Sequence, residues 1–294
     1  MITVCIPLHN RDATVLISKL AVICRRLFVP CEILCIDDGS DEQYRMLNRA
    51  CAEKYGVRYE ELPNNIGRSR IRNLLARRAT YDFLVFLDDD SQIVYADYLH
   101  RYIDRFLSSK GEEVIYGGTM YYDNPPTLQR HFLQWYYGYR RDAKCPEDRA
   151  KLGWRAFHTN NFAVYRPILL KHPFDERIMH YGYEDTFWAW RLQREGIPIV
   201  HIHNPVYHLG FESAETFLNK TAEAMKSLKF LHDRYPGFDT PVTKWNRRLR
   251  RWRVNALFVD AVRLAESRIK RQLKGPRPKL WLLDLYKLYL YSRL

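Results

Sequence analysis

The feature that most constrains the fold of this chain is a regular alternation between short apolar segments and helix-forming segments. Strand-like segments lie at Ile2–Pro7, Glu32–Ile36, Val57–Glu60 and Tyr81–Val85. Helical segments separate them, among them a basic one at Arg68–Arg78. Strands that alternate with helices of this length predict an α/β fold with a doubly wound, mostly parallel sheet.

Less regular segments follow the fourth strand. The patterns predict further strands at Glu113–Tyr121, Phe157–Arg166 and Ile197–Ile202, and helices at Asp97–Leu107, Gly182–Glu195 and Ser213–Tyr235. The stretch Asp123–Arg155, rich in Tyr, Trp, Arg and Pro, suits either a mobile substrate-facing segment or a packed helical insert. Pro236-Gly237 is expected to close a first domain of residues 1–238, and residues 239–294 are expected to form a helical, basic extension.

Three carboxylates, Asp88, Asp89 and Asp90, come directly after the fourth strand. The carboxyl ends of strands are where open α/β sheets place their ligands. Like charges packed this closely repel each other, and a shared cation lowers that cost. The sequence therefore predicts a divalent metal with a bound diphosphate at this point. An acidic loop that caps the next helix is the alternative that the residues alone leave open.

Two other acidic clusters occupy comparable positions. Asp37-Asp38 follows the second strand, and Glu184-Asp185 opens a helix. Each cluster alone is typical of ordinary capping. Together with a long parallel sheet, the three clusters suggest separate tasks, namely nucleoside recognition, metal–diphosphate binding and general-base chemistry.

The order of these motifs resembles that of family 2 glycosyltransferases, which have the Rossmann-like GT-A fold. The matching stretches are Ile6-Pro7-Leu8-His9-Asn10, Ile36-Asp37-Asp38-Gly39-Ser40, Asn65-x-Gly67 leading to Arg72-Asn73, Leu87-Asp88-Asp89-Asp90 and Gly182-Tyr183-Glu184-Asp185. They cover roughly residues 1–235, and several motifs in the right order are more specific than any one of them. The resemblance implies transfer of a sugar from a nucleotide-sugar to an acceptor, with inversion of the anomeric centre.

The resemblance also implies a donor site. Its nucleotide-sugar-binding residues would be Pro7, His9, Asp37, Asp38, Arg72, Asp88 and Asp89. Asp88 and Asp90 match the outer members of the DxD motif, which holds Mg²⁺ or Mn²⁺ on the donor diphosphate. His208 matches a histidine that completes the metal site in some related enzymes. UDP is the favoured nucleotide, because many relatives use it.

On the acceptor side, Asp185 matches the catalytic base of the family, with Glu184 beside it in the same motif. Asp185 would deprotonate the acceptor hydroxyl as that oxygen attacks the anomeric carbon. A helix N-terminus would favour the ionised form of the carboxylate. Asn160 and Asn161 match an acceptor-side loop.

Two departures from the family pattern narrow the prediction. Trp190–Glu195 stands where processive polymer synthases carry a Gln-x-x-Arg-Trp motif. The sequence also contains no run of 18 apolar residues, so no membrane span is predicted. His9 stands where a Tyr is frequent. We therefore expect transfer of one sugar, or a few, to a saccharide acceptor, free or lipid-linked, in the assembly of a surface glycan.

The net charge of +13 is concentrated at the C-terminus. Residues 241–294 hold 15 lysines and arginines against three acids, whereas residues 1–240 hold 32 against 31. Basic residues beside interfacial aromatics suit an anionic membrane surface, with Trp281, Tyr286 and Tyr289 as anchors. The alternative is a helical extension whose apolar faces pack on the core.

Two other classes of protein compete with a glycosyltransferase. A nucleic-acid-binding protein would suit the basic charge. However, the charge excess avoids the α/β body, and the sequence has no helix-turn-helix, zinc-finger or RRM pattern, so we expect no nucleic-acid partner. A nucleotidylyltransferase would use a similar sheet, but the glycine-rich phosphate loop that it needs after the first strand is absent from the sequence.

The six cysteines form no CxxC pair and mostly fall in strand or helix patterns. We therefore expect buried free thiols in a reducing compartment. The sequence begins with a strand-like segment rather than a basic and apolar leader. These features predict a cytoplasmic protein, peripheral on the inner membrane surface if the tail binds lipid.

Overall fold

The computed structural model describes residues 1–109 and 111–294, which form two compact units. The first unit contains Met1–Tyr121, Asp142–Glu176 and Glu184–Gly210, and the second contains Tyr122–Arg141, Arg177–Tyr183 and Phe211–Leu294. Each unit is therefore assembled from several stretches of chain. A functional boundary after residue 238 stays a prediction.

The first part of the chain runs through β1 (Ile2–Leu8), α1 (Thr14–Arg25), β2 (Cys31–Asp37), α2 (Glu42–Tyr55), β3 (Arg58–Glu61), α3 (Arg68–Arg78), β4 (Phe83–Leu87), β5 (Ser91–Ile93) and α4 (Tyr98–Ser109). It continues with β6 (Val114–Tyr116), β7 (Thr119–Met120), α5 (Phe132–Tyr137), α6 (Pro146–Leu152), β8 (Asn161–Tyr165), α7 (Arg166–Lys171), α8 (Glu184–Arg194), β9 (Ile199–His201) and β10 (Val206–His208). The chain ends with α9 (Ala214–Arg234), α10 (Pro241–Arg251), α11 (Asn255–Leu273) and α12 (Leu280–Ser292). The predicted alternation of strands and helices is present from β1 to β4.

In the described part of the chain, a seven-stranded sheet in the order β3-β2-β1-β4-β8-β6-β9 forms the centre of the first unit. β1 pairs in parallel with β2 and β4, and β2 pairs in parallel with β3. β8 runs antiparallel between β4 and β6. β4 is apolar throughout and buried along its whole length, as expected of a strand that is covered on both faces. The prediction of a doubly wound, mostly parallel α/β sheet is confirmed.

The segment Glu113–Tyr121, predicted as one strand, is two strands in different sheets, so that prediction is wrong. β6 joins the large sheet, whereas β7 pairs with β10 in a small sheet ordered β5-β10-β7. The chain turns at Gly118, where φ is +99° and a Cβ atom would lie 2.0 Å from Nη1 of the buried Arg149. Both the backbone and the space therefore require glycine. The small sheet sets His208 opposite Ser91, directly after the acidic triplet.

The two alternatives for Asp123–Arg155 are resolved in favour of a helical insert. The segment contains α5, α6, short 3₁₀ turns and a π-helical turn at Gly138–Asp142. Leu133 and Trp135 of α5 are buried, and α6 begins with Pro146 in its first turn. Proline suits that position because the N–H that it lacks would be unpaired there.

The expectation of six buried free thiols is wrong for four of the cysteines, among them Cys51, which is only half-buried. Cys24 and Cys31 form a disulfide across the loop between α1 and β2, with Cα atoms 5.7 Å apart. Cys145 is exposed. Cys5 and Cys35 are buried free thiols as expected, and burial raises the pKa of both.

The second unit is helical and has its own apolar core. Its members on α5, α9, α11 and α12 are Leu133, Ala214, Leu218, Val262, Ile269, Leu273, Leu283, Tyr286 and Tyr289. Tyr286 and Tyr289 are packed in this core, so their predicted use as membrane anchors is wrong, whereas Trp281 is 60% exposed. Across the described residues, no helix combines the length and apolar character that a membrane span needs.

Candidate functional site

The acidic triplet Asp88–Asp90 lies at the carboxyl end of β4, with its backbone fixed on both sides. The Asp88 N–H donates to the carbonyl of Asn160 at 3.1 Å, and the Ser91 N–H donates to the carbonyl of Asp88 at 3.2 Å. The His9 N–H, after β1, donates to Asp89 Oδ2 at 3.0 Å. The ends of two neighbouring parallel strands therefore meet at the triplet.

Each carboxylate of the triplet has a cationic or titratable partner. The closest atoms are Arg72 Nη2 at 2.8 Å from Asp88 Oδ1, Arg11 Nε at 3.7 Å from Asp89 Oδ1, and His208 Nδ1 at 3.3 Å from Asp90 Oδ1. Burial raises the pKa of Asp89, and the charge of Asp90 raises it further. Burial opposes ionisation of Asp90 too, but His208 beside it holds the pKa of Asp90 below its usual range. Between the neighbours Asp89 and Asp90, the negative charge is therefore concentrated on Asp90.

The side chains at this edge suit a divalent metal in kind. Carboxylate oxygens favour Mg²⁺ and Mn²⁺, and imidazole is acceptable to Mn²⁺. Asp90 Oδ1 is buried and receives no well-aligned hydrogen bond, whereas Asp88 Oδ1 is bound by Arg72. Nowhere in the described chain are three or more His, Cys, Asp or Glu side chains gathered closely enough to hold a metal ion. Asp90 and His208 are therefore two potential ligands of an ion, and Asp88 would have to release Arg72 to become a third.

The second acidic group opens α8. Asp185 Oδ1 accepts the N–H of Thr186 at 2.6 Å and its hydroxyl at 3.0 Å, and Asp185 Oδ2 lies 3.3 Å from His158 Nδ1. Burial would raise the pKa of Asp185, but these bonds lower it overall. Glu184 is buried, and burial and Asp185 raise its pKa. Asp185, whose side chain is 19% exposed, is thus the ionised and accessible member.

Two arginines on one face of α3 join the acidic groups. Arg72 Nη2 lies 2.8 Å from Asp88 Oδ1, and Arg68 Nη1 lies 3.9 Å from Glu184 Oε1. Residues four apart on a helix are neighbours on its surface. Arg72 is almost fully buried, so its charge interacts strongly with the carboxylates around it. The triplet and the start of α8 are therefore parts of one electrostatic site within the first unit.

Asp37 and Asp38 after β2 fix loops. Asp37 is fully buried and accepts the Ser40 N–H at 2.7 Å. Asp38 accepts the N–H groups of Ile66 at 2.7 Å and Gly67 at 3.1 Å. In the structure both carboxylates bind backbone, and their contact with a nucleotide stays a prediction.

The loop after β1 is more accessible. His9 is exposed, and its Nδ1 lies 2.9 Å from the Asp38 carbonyl and 3.2 Å from Asn65 Nδ2. Pro7 is half-buried at the end of β1. Both residues lie at the strand edge where a donor nucleotide is predicted.

The two asparagines predicted for the acceptor side have different surroundings. Asn161 is fully buried, and its amide binds the hydroxyls of Tyr98 and Tyr102 and the carbonyls of Gly118 and Asn204. This burial rules out contact with an acceptor, so the prediction is wrong for Asn161. Asn160 is half-buried and stays a prediction.

Sequence reasoning missed Arg11, Arg68 and His158. Arg68 had a usable signal, because it precedes Arg72 by one helical turn. His158 had none, because its partner Asp185 lies 27 residues further along the chain. For Arg11, the only signal in the sequence was its position in the loop after β1.

The sequence model of the family described as "Glycosyl transferase family 2" matches residues 3–172, more than half of the chain. The chain belongs to glycosyl transferase family 2. It is therefore a glycosyltransferase, and the predictions of family and enzyme class are confirmed.

Individual relatives of this glycosyltransferase are distant. A hyaluronan synthase from Pasteurella multocida is 25% identical over 224 residues, which are 66% of this chain and 23% of that protein. The chain therefore spans about a quarter of the length of this curated relative.

Solved structures share the fold. A mannosyltransferase from Pyrobaculum calidifontis, in complex with GDP-Man and Mn²⁺, matches with a TM-score of 0.60 at 14% identity over 99% of this chain and 86% of that one. A glucosyl-3-phosphoglycerate synthase from Mycobacterium tuberculosis, in complex with Mg²⁺ and UDP, matches with a TM-score of 0.53 at 17% identity over 80% and 79% of the two chains. The predicted GT-A fold is thereby confirmed.

Proposed function

We propose that this glycosyltransferase transfers a sugar from a UDP-sugar to a hydroxyl of a saccharide acceptor, with inversion of the anomeric centre. The observation that carries the proposal is the link that Arg68 and Arg72 make between the triplet and the start of α8. A donor diphosphate and an attacking hydroxyl must lie a few ångströms apart. Two acidic groups joined by one pair of cations provide that arrangement.

The donor half of the proposed site consists of the triplet and the loops after β1 and β2. Asp88, Asp90 and His208 would hold Mg²⁺ or Mn²⁺, and the nucleotide-binding residues would be Pro7, His9, Asp37, Asp38, Arg72 and Asp89. A metal there supplies Lewis-acid stabilisation of charge on the departing nucleoside diphosphate. Arg72 would exchange Asp88 for a phosphate oxygen, because guanidinium binds both groups in the same way. The Mn²⁺ and Mg²⁺ in the two structural neighbours support this assignment.

Asp185 is the proposed base. It is ionised and partly exposed, and hydrogen bonds hold both of its carboxylate oxygens. Glu184 has a raised pKa and is buried, so we assign it an electrostatic role in the catalytic pair. Asn160 is the residue that we retain for the acceptor side. The similarity to a hyaluronan synthase supports a saccharide acceptor, which we propose is lipid-linked during assembly of a surface glycan.

The proposed donor is tested by thermal unfolding with UDP, UDP-glucose, UDP-N-acetylglucosamine, UDP-glucuronic acid, GDP-Man and ADP-glucose, each with Mn²⁺ or with EDTA. A ligand at about 100 times its Kd stabilises the folded state by about 2.7 kcal/mol, which raises Tm by several degrees. We expect UDP and at least one UDP-sugar to raise Tm in Mn²⁺ and much less in EDTA. Preference for GDP-Man would change the assigned nucleotide, and no shift with any nucleotide would contradict a donor site.

The proposed lipid-linked acceptor requires contact with a membrane, and α10 and α11 of the second unit expose apolar and basic residues that suit such contact. Trp245 and Trp252 of the α10 segment are 47% and 60% exposed, and Leu257 and Leu264 of α11 are 71% and 86% exposed. The seven-residue spacing puts each pair on one face of its helix. Residues 244–274 hold eleven lysines and arginines against two acids. Residues 244–274 therefore combine exposed apolar side chains with an excess of positive charge, the two features that bind anionic lipid.

We expect the whole chain to float with vesicles containing 30% phosphatidylglycerol at low salt and to lose binding at 0.5 M salt. The triple variant Trp252→Ser, Leu257→Ser, Leu264→Ser should bind at least about tenfold more weakly, because burying each apolar side chain contributes about 1.5 kcal/mol or more. Phe28→Ser, a fully exposed aromatic in the first unit, is the matched control. Removal of residues 239–294 is unsuitable, because α11 and α12 contribute much of the core of the second unit. A wild-type chain that ignores these vesicles at low salt would exclude attachment.

A further inference from the structure

A histidine outside the predicted site is bonded to the proposed base. His158 lies on the loop before β8, and its Nδ1 is 3.3 Å from Asp185 Oδ2. The other oxygen, Asp185 Oδ1, is held by the N–H and hydroxyl of Thr186. The two side chains are 38% and 19% exposed, so the pair borders solvent without being immersed in it. Among the described residues, the His158 ring forms no hydrogen bond other than the one to Asp185.

Packing holds the imidazole in place. Its ring meets the buried Tyr116 ring edge-on, with centroids 6.2 Å apart. The flanking residues Phe157 and Thr159 are buried, which fixes the loop on both sides of the histidine. The guanidinium of Arg149 lies over the same Tyr116 ring at 5.1 Å. His158 is therefore held beside Asp185 by packed, buried neighbours.

The charges around the pair favour an imidazolium beside a carboxylate. Burial lowers the pKa of His158 and Arg149 opposes its charge, but the bond to Asp185 and the charges of Asp142 and Asp185 raise the pKa to about 9. The neighbouring Glu184 opposes ionisation of Asp185. Arg68 and Arg72 in turn favour ionisation of Glu184. Because folding raises the pKa of His158 from 6.5, protonation of His158 contributes stability below pH 6.5 while Asp185 stays ionised, and that contribution is lost as the pH rises through 9.

We infer that His158 is a positioning residue, which aims the carboxylate of Asp185 at the acceptor hydroxyl and keeps it charged. This role rests on the proposed function, in which Asp185 is the base. A base in a half-buried site beside Glu184 needs a compensating charge, since burial and like charge both favour its protonated form. It also needs a fixed direction, because a misplacement of 1 Å can cost about 100-fold in rate. His158 supplies both requirements through a single bond.

Two substitutions separate these requirements. The amide nitrogen of His158→Asn takes about the place of Nδ1, so this variant keeps a donor and loses the charge, whereas His158→Ala loses both. UDP release is measured against pH with the UDP-sugar that raises Tm most. We expect the acid limb of the pH profile of kcat/KM to shift to higher pH by about one unit or more in both variants. At pH 8, kcat should fall by at least about tenfold in His158→Ala and less in His158→Asn, with KM for the donor unchanged. His203→Asn is the matched control, because His203 is exposed and binds Tyr95 instead.

A second readout does not depend on turnover. The imidazole signals of His158, followed by NMR against pH, should titrate well above 6.5 in the wild type and move toward that value in Asp185→Asn. An ordinary His158 titration that Asp185→Asn leaves unchanged would overturn the inference, as would a pH profile of His158→Ala that matches the wild type. Near-normal turnover in Asp185→Asn would instead overturn the proposed base, and the NMR titration would still report whether the pair exists.

Discussion

Replacing Asp185 by asparagine is expected to slow sugar transfer by at least ~100-fold while donor binding stays within about twofold of the wild type. Asparagine is nearly isosteric and can still accept the Thr186 N–H that Asp185 Oδ1 accepts now. It cannot take the proton of the acceptor hydroxyl at neutral pH. Steady-state kinetics, with UDP affinity measured separately by calorimetry, distinguishes these two properties.

Asp12→Asn is the matched control for this substitution. Asp12 Oδ1 accepts the Thr14 N–H at 2.9 Å and the Thr14 hydroxyl at 2.7 Å, the same two kinds of bond that Asp185 makes with the threonine directly after it. If the two variants behave alike, Asp185 only caps its helix. Loss of UDP binding together with turnover in Asp185→Asn would assign that residue a role in the donor site.

Asp90→Ala is expected to weaken Mn²⁺-dependent binding of UDP by at least ~100-fold, because even residues that only support metal ligands contribute about 10–100-fold. Asp90 is the ionised member of its pair with Asp89, and its Oδ1 is buried beside His208. Titration calorimetry with UDP, in Mn²⁺ and in EDTA, measures the metal-dependent part of the affinity. Circular dichroism checks that the fold survives.

Asp104→Ala, on the exposed side of α4, controls for the loss of one acidic charge and should leave UDP binding unchanged. Metal-dependent affinity that persists in Asp90→Ala would remove the metal from the proposed site. Equal losses in Mn²⁺ and EDTA would mean that Asp90 supports the loop and does not bind an ion.

The sheet and the acidic edges were predictable because they depend on local pattern. β1, β2 and β4 are apolar runs, and strands separated by helices pair in parallel. Asp88–Asp90 directly follow such a run, so their place at the edge of the sheet follows from the strand itself. The order of the motifs also predicted the family, which the match over residues 3–172 confirmed.

Other properties of the site depend on contacts between distant parts of the chain. The pairing of Asp90 with His208 requires β10 to lie beside β5, a register that no local pattern records. Asn161 is polar at a strand start, as an acceptor ligand would be, but two tyrosines and two carbonyls use its amide inside the core. Tyr286 and Tyr289 illustrate the same limit, since the sequence shows that they share a helix face but not that α9 and α11 cover it.

The link between Arg68 and Arg72 on α3 has a consequence for how such an enzyme can diversify. Each arginine faces a different acidic group, and the two lie one helical turn apart. Substitutions at the triplet and at the start of α8 will therefore be epistatic, with effects that do not add. Under the proposed function, a substitution at the triplet is therefore expected to change the pH dependence that Asp185 sets, as well as binding of the donor.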